Sequence, residues 1–552
     1  MKKVPIVCLF LITGLITFFP VLGNDFLGDD FGQIVNNPYI RSMKNFPRFF
    51  GGSTFFVPGY PRLFGIYYKP VLITGYALIY AAFGLSPWAF HLVQVVLHAT
   101  NAYLAYRILR HYFPDWALWL ALIFLVHPIN TEAVAYIANL QDILFVMFGL
   151  ISVNLYLGRE FIKPGRWVAI GLTLLLSLFS KETGLLFGLL AIAYSLIYAR
   201  KQLSGHLITI SGSLAGYAFF RFAVAGLGVN SGNFTPISNA SLSERVFNIP
   251  NIVWYYAKTL VFPLKLGIYP LNLIEKPGLV GFVTLAIIIF LGVVGGYLAG
   301  KKFIHFVFFG IWFLMGLGAH LQIFPLDALA ADRWFYFPLV GGLGILGGVI
   351  NFKKSRVVVT GLIVILIGLS WRSFVRSGDF KNSLVLAQHD IRLNPNSPEL
   401  ESILGGEYLA RGSYMQATEH LSRSLALFPN NGNVWYNLGV TYQKRKMFPE
   451  AIKAYEESIA RGRYFQSFEN LARLYLALQE YETAEKVASD GLKYYPANNG
   501  LLLVTAIAYY KTEDQAMAVS QAERLVRLNP SEYNRGVLDY ISNRKPINIS
   551  SP

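Results

Sequence analysis

The chain has 552 residues, of which 54% are hydrophobic and only 14% charged, with a mean hydropathy of +0.45 and a formal net charge of +16. A soluble domain carries roughly a quarter charged residues, so this composition excludes an ordinary water-soluble chain and calls for a bilayer. The basic residues of the first 370 positions fall in short clusters between apolar runs, which fits charge-directed membrane topology rather than nucleic acid as a partner.

In chain order, Met1-Lys2-Lys3 and an apolar stretch to Leu22 read as a retained signal anchor, because Leu22-Gly23-Asn24-Asp25 offers no small-x-small cleavage site. Its Cys8 is the single cysteine, so no intrachain disulfide can form. Further apolar runs lie at 70–84, 88–106, 116–126, 143–157, 167–180, 183–199, 206–225, 252–270, 278–298, 303–323, 334–351 and 357–371. If 70–84 and 252–270 do not cross, all six basic clusters fall on one face: Lys2-Lys3, Arg107/Arg110/His111, Lys163/Arg166, Arg200-Lys201, Lys301-Lys302 and Lys353-Lys354/Arg356. Pro70 opens the first of these two runs, and Lys258, Pro263 and Lys265 interrupt the second, as in interfacial helices. The expectation is about eleven spans with the N-terminus cytoplasmic and everything after about 372 outside.

Residues 373–545 repeat with a period of about 34. Leu404-Gly405, Tyr408, Ala417 and Pro429 are followed in phase by Trp435, Leu438-Gly439, Tyr442 and Ala451. Leu471-Ala472, Tyr475, Ala484 and Pro496 come next, then Ala506, Tyr509, Ala518 and Pro530. Small residues let paired helices approach, aromatics fill the gaps and proline ends each second helix. This resembles tetratricopeptide (TPR) repeats, whose stacking makes a groove suited to a polypeptide.

The chemistry gathers in the outer segments. Asp29-Asp30 crowds two carboxylates beyond the first span, which raises one pKa unless cations or donors compensate. Such a pair suits a general base for a hydroxyl nucleophile or a divalent cation. The second outer segment, 127–142, carries His127, Glu132 and Asp142. The outer turn carries Lys181 and Glu182, and a later segment holds Asp327 and Asp332-Arg333. Polar groups at span ends on one face mark a site more often than packing does. Lys69, Lys181 and Arg333 would supply positive charge for a phosphate group.

The ordered motifs, an outer Asp-Asp, then HPINTEAV, SKETG, DRWFYFP, Trp371-Arg372 and TPR repeats, resemble the transmembrane-and-TPR-repeat family called TMTC. That family belongs to the GT-C glycosyltransferases, with the protein O-mannosyltransferases. The resemblance implies an all-α fold: a polytopic GT-C-type domain over 1–372, a TPR α-solenoid over 373–545 and a tail, 546–552. It implies an inverting enzyme that moves a sugar from a polyprenyl-phosphate-linked donor to a Ser/Thr hydroxyl of a protein, with Asp29 or Asp30 as base. Lys69, His127, Glu132, Asp142, Lys181, Glu182 and Arg333 would bind substrate. No cofactor is demanded, a divalent cation being the one candidate. The expected location is a bacterial inner membrane with the array in the periplasm. A non-enzymatic TPR scaffold, or a glycan or lipid acceptor, are the alternative readings.

Overall fold

A computed structural model describes residues 5–56, 65, 67–228, 235–274, 279–350, 354–462 and 464–545. Lys2, Lys3 and Lys353 of the basic clusters, and the tail 546–552, lie outside the described residues. The described chain is helical and divides into two compact units, the first ending at Asn394 and the second beginning at Pro395.

The first unit contains α1 (Ile6–Thr17), α2 (Pro70–Phe83), α3 (Pro87–Tyr112), α4 (Ala117–Val126), α5 (Leu140–Tyr156), α6 (Pro164–Ser180) and α7 (Leu185–Tyr198). It continues with α8 (Leu203–Ala218), α9 (Leu242–Val261), α10 (Leu279–Ala299), α11 (Phe303–Gly318), α12 (Tyr336–Val349), α13 (Arg356–Asp379) and α14 (Ser383–Asp390).

The described residues do not confirm the expected eleven spans when their helices are judged by length and composition. Four helical stretches are long and apolar enough to cross a bilayer: Ile137–Tyr156, Arg200–Val224, Ala286–Gly318 and Arg356–Asp379. A bent pair, Ala117–Val126 with Pro128–Ala135, would make a fifth. The physical reasons are local. At α4 the proline at 128 ends the helix and the axis bends by 47°. The 26-residue α3 is long enough, but it buries His91, Gln94, His98 and Asn101, and these polar groups lower its hydropathy. Helices α1, α6 and α7 are apolar but short, the 12 residues of α1 rising about 18 Å against a hydrocarbon core of about 30 Å; α2, expected not to cross, has only 14 residues. Ala286–Gly318 is not one straight span: the chain folds back at Gly300, whose φ is +50°, into the two helices α10 and α11 that the separate runs 278–298 and 303–323 anticipate. A Cβ on Gly295 would lie 3.1 Å from the Phe306 ring, whereas eleven residues of straight helix separate two positions by about 16 Å.

The segment 127–142 also differs from a hydrated outer loop. Nearly all of it is buried, as short turns of helix between α4 and α5. Its backbone is satisfied from within: Gln94 Nε2 donates to the carbonyls of Ala133 (2.7 Å) and Tyr136 (2.8 Å), and Asn139 Nδ2 donates to that of Glu132 (3.1 Å). Buried irregular backbone at membrane depth is tolerated only with such partners.

The second unit is an array of helix pairs: α15 (Pro398–Ala410) with α16 (Tyr414–Leu427), α17 (Gly432–Lys444) with α18 (Phe448–Gly462), α19 (Phe465–Ala477) with α20 (Tyr481–Tyr494), and α21 (Asn499–Lys511) with α22 (Gln515–Leu528), closed by α23 (Glu532–Ser542). The in-phase small residues do what their size allows. A Cβ on Gly405 would meet Leu421 at 2.5 Å and one on Gly439 would meet Tyr455 at 2.7 Å, while Ala417, Ala451, Ala484 and Ala518 are fully buried between helices.

Candidate active site

The first loop is held by backbone, amide and Asp30 contacts, with no hydrogen bond to the Asp29 carboxylate among the described residues. Asn24 Nδ2 donates to the Ser377 carbonyl (2.9 Å) and the Asp25 N–H to the Lys381 carbonyl (2.9 Å), tying the end of α1 to the end of α13. Gly28 has φ +37°, and a Cβ there would sit 2.7 Å from the Tyr136 hydroxyl. That hydroxyl accepts the Asp29 N–H at 2.9 Å. Glycine at 28 is therefore required by both conformation and space.

The two carboxylates part company at this turn. Asp30 is fully buried and its Oδ2 accepts the Leu27 N–H at 2.8 Å. Burial pushes its pKa well above the ordinary carboxylate range, the Leu27 N–H opposes that and the Asp29 charge adds to it. Asp29 is exposed to solvent at its side chain, yet protein atoms crowd around it. Desolvation by that surrounding protein raises its pKa, with Arg333 opposing, Asp327 adding and Lys69 opposing.

Three ion pairs organise the other charges. The Arg333 guanidinium pairs with Glu132, and its own N–H donates to Glu132 Oε2 at 3.0 Å, so one carboxylate fixes both ends of the residue. Glu132 is 1% exposed at its side chain, and desolvated charge-assisted pairs of this geometry set orientation strongly. Lys181 Nζ lies 2.6 Å from Asp142 Oδ1. Glu182 takes Arg221 at 2.8 Å and the Tyr68 N–H at 3.3 Å. Asp332, next to Arg333, is buried and accepts the Tyr255 hydroxyl, so it braces the turn.

Lys69 differs from these cations. It is 7% exposed and forms no ion pair among the described residues; its Nζ lies 4.1 Å from the centre of the Tyr67 ring. The Tyr67 hydroxyl donates to Asp327 Oδ1 at 2.7 Å. Burial pulls the Lys69 pKa down, Glu182 opposes and Lys181 adds to the fall. A desolvated ammonium without a carboxylate at contact distance is suited to receiving an anion.

The structure thus brings Asp29, Lys69, Asp142, Lys181, Glu182 and Arg333 within electrostatic reach of one another, with Glu132 orienting Arg333. It does not offer His127 as a free ligand. His127 Nδ1 accepts the Ile129 N–H at 3.2 Å, so Nε2 carries the proton and donates to the Leu260 carbonyl at 3.0 Å. Its role in the geometry is to cap the turn that Pro128 starts. Among the described residues no group of three or more His, Cys, Asp or Glu could hold a metal ion; the charges facing Asp29 are Arg333, Asp327 and Lys69.

Tyr67, Tyr136, Arg221 and His320 enter the site without having been singled out in the sequence. His320 Nδ1 bonds the Gly316 carbonyl at 2.8 Å and the ring stacks on Trp334. Burial, then Lys181, lower its pKa to about 4, leaving Nε2 as a bare acceptor. The one available signal was position, since His320 and Tyr136 both flank segments already rich in charge.

Tetratricopeptide repeat models match residues 432–461 and 470–533. Protein O-mannosyl-transferase F38B6.6 of Caenorhabditis elegans is 26% identical over 442 residues, covering 75% of this chain and 62% of that protein. Protein O-mannosyl-transferase TMTC1 of Homo sapiens is 24% identical over 506 residues, covering 76% of this chain and 54% of that protein. Protein O-mannosyl-transferase TMTC2 of Mus musculus is 38% identical over 92 residues, 16% of this chain and 11% of that protein. The chain therefore spans less than two thirds of the length of each of these relatives. With apolar helices, in-phase repeats and relatives of that name in several species, the chain is TMTC-like: an all-helical, membrane-associated protein ending in tetratricopeptide repeats.

Proposed function

We propose that the protein is a membrane glycosyltransferase that moves a sugar from a polyprenyl-phosphate-linked donor to a Ser or Thr hydroxyl of a protein on the outer face of the membrane. The observation that carries this reading is the charge cluster itself: an exposed carboxylate, Asp29, lies within electrostatic reach of a buried ammonium, Lys69, and an oriented guanidinium, Arg333. Asp29 takes the proton of the acceptor hydroxyl as its oxygen bonds to the anomeric carbon. The bond from that carbon to the phosphate oxygen breaks, and the lipid phosphate leaves with the electron pair. Lys69, Lys181 and Arg333 meet the charge that grows on it, which is where preorganised cations act best. Displacement from the face opposite the phosphate inverts the anomeric centre.

In this reading Asp30 is a brace, Glu132 holds Arg333, and Asp142 and Glu182 hold Lys181 and Arg221. The TPR array holds the polypeptide acceptor and raises its local concentration. The chain works in a bacterial inner membrane, N-terminus cytoplasmic and array periplasmic, an orientation supported by the basic clusters between apolar runs. The names of the relatives support a mannosyl donor and a protein acceptor.

The test is mass spectrometry of outer-compartment proteins from cells with the chain, without it, and with Asp29→Asn. The expected result is a hexose-sized mass on Ser/Thr peptides that needs both the chain and Asp29. If no peptide changes mass while the array still captures partners, a scaffold replaces the enzyme.

A further inference from the structure

A cavity of about 200 Å³ lies under the C-terminal end of α9. Its lining includes Trp254, Lys258, Lys265, Tyr269, Asp390 and Asn394. At about 30 Å³ per water molecule it has room for a phosphate group.

Its charges are arranged for an anion. Lys258 and Lys265 are exposed and form no ion pair among the described residues. The carboxylate in the lining is already engaged: Asp390 accepts Arg376 at 2.7 and 3.0 Å and the Ile268 N–H at 2.8 Å. Asn394 exchanges hydrogen bonds with Asn272 and donates to the Tyr269 carbonyl. The two ammonium groups thus stand at the mouth with no counter-charge from the wall. Arg372 adds positive charge beside Lys265, its Nη2 donating to the Leu264 carbonyl at 3.0 Å.

The surroundings say where the anion comes from. Trp254, Val261, Phe262 and Leu264 are exposed beside the lysines, Phe262 at 64% and Leu264 at 70%. Helix α9 begins with a capping box at Ser241 and Glu244 and carries apolar side chains outward. An amphipathic helix with lysines at its end and large exposed apolar groups lies in a lipid headgroup layer, where anionic lipids attract Lys and Arg.

We propose that this cavity binds the phosphate of an anionic glycerophospholipid, with Lys258 and Lys265 on the phosphate and Trp254, Phe262 and Leu264 against its acyl chains. Its readout is lipid retention and not sugar transfer, so its failure would leave the Asp29 reading untouched. It anchors the end of α9 and the turn of α14 to the headgroup plane.

The experiment is native mass spectrometry of the full-length protein in detergent containing equal amounts of phosphatidylglycerol and phosphatidylcholine. The parent is expected to retain phosphatidylglycerol in preference. K258Q/K265Q should lose that retention roughly thirtyfold, at about fivefold for each lysine near a headgroup, and K258R/K265R should keep it. Unchanged thermal stability of the double Gln variant separates a lost site from a lost fold. Equal phosphatidylglycerol retention by parent and K258Q/K265Q overturns the proposal. Displacement of the lipid by inorganic phosphate also overturns it and assigns the cavity to a free anion.

Discussion

Replacing each member of the Asp29–Asp30 pair by asparagine separates their roles. Asp29 is exposed, and it is its backbone N–H, not its carboxylate, that bonds Tyr136. D29N therefore leaves the turn intact, and stability should stay within about 0.5 kcal/mol. Loss of a general base lowers turnover by about 10²–10⁴, or about 2.7–5.4 kcal/mol of barrier. Asp30 behaves in the opposite way. It is fully buried, and its Oδ2 accepts the Leu27 N–H. An asparagine carbonyl can accept the same N–H, so D30N should keep transfer within about tenfold. Burial raises the folded pKa of Asp30 above its unfolded value. Its favourable contribution is then fully present below the unfolded pKa of about 3.9 and is lost as pH rises through the folded one. D30N removes that loss, so its stability relative to the parent should grow with pH. D30A would orphan the Leu27 N–H at a cost of about 1–3 kcal/mol. The assay is transfer of labelled sugar from a polyprenyl-phosphate donor in proteoliposomes, beside melting curves in detergent. Full activity in D29N together with a hundredfold loss in a well-folded D30N would refute the assignment.

The acid limb of the rate profile should lie above the ordinary aspartate range, because Asp29 must be ionised and its pKa is raised. D327N, which removes a neighbouring negative charge, should move that limb to lower pH. K69Q should raise the KM for donor more than that for acceptor, by about 10–150-fold for one charge-assisted bond, with initial rates at varied donor as the measurement. E132Q leaves the Arg333 guanidinium uncompensated and should cost about 3–5 kcal/mol; the melting curve of E132Q/R333Q should recover part of that. In Asp390, burial raises the pKa but Arg376, His389 and the Ile268 N–H pull it below the ordinary value. Its stabilisation is present above the unfolded pKa of about 3.9 and lost as pH falls through the folded one. D390N should destabilise by about 3–5 kcal/mol near neutral pH, and the gap to the parent should narrow in acid titration melts.

Local spacing carried much of the reading. The array was legible because Gly405, Gly439, Ala472 and Ala506 recur in one phase, and close helix approach at those points leaves room only for small side chains. Apolar runs and basic clusters declared a membrane chain, since both are properties of short stretches of sequence. The charged outer motifs marked the region of the site, because carboxylates and cations cost too much near a bilayer to be scattered there without reason. Tertiary structure alone decided how those charges are used. Asp29 and Asp30 are neighbours with one composition, and only the turn at Gly28 against Tyr136 points one inward and leaves the other exposed. Arg333 meets Glu132 across 201 positions and Lys181 meets Asp142 across 39, leaving Lys69 with an aromatic ring in place of a carboxylate. The breaks after α4 and at Gly300 were legible as gaps between apolar runs, whereas the burial of His91, Gln94, His98 and Asn101 along α3 belongs to three-dimensional packing. Periodicity fixes which face of a helix is buried, but a pair of charges is chosen by which helices meet, and that is a property of the folded chain.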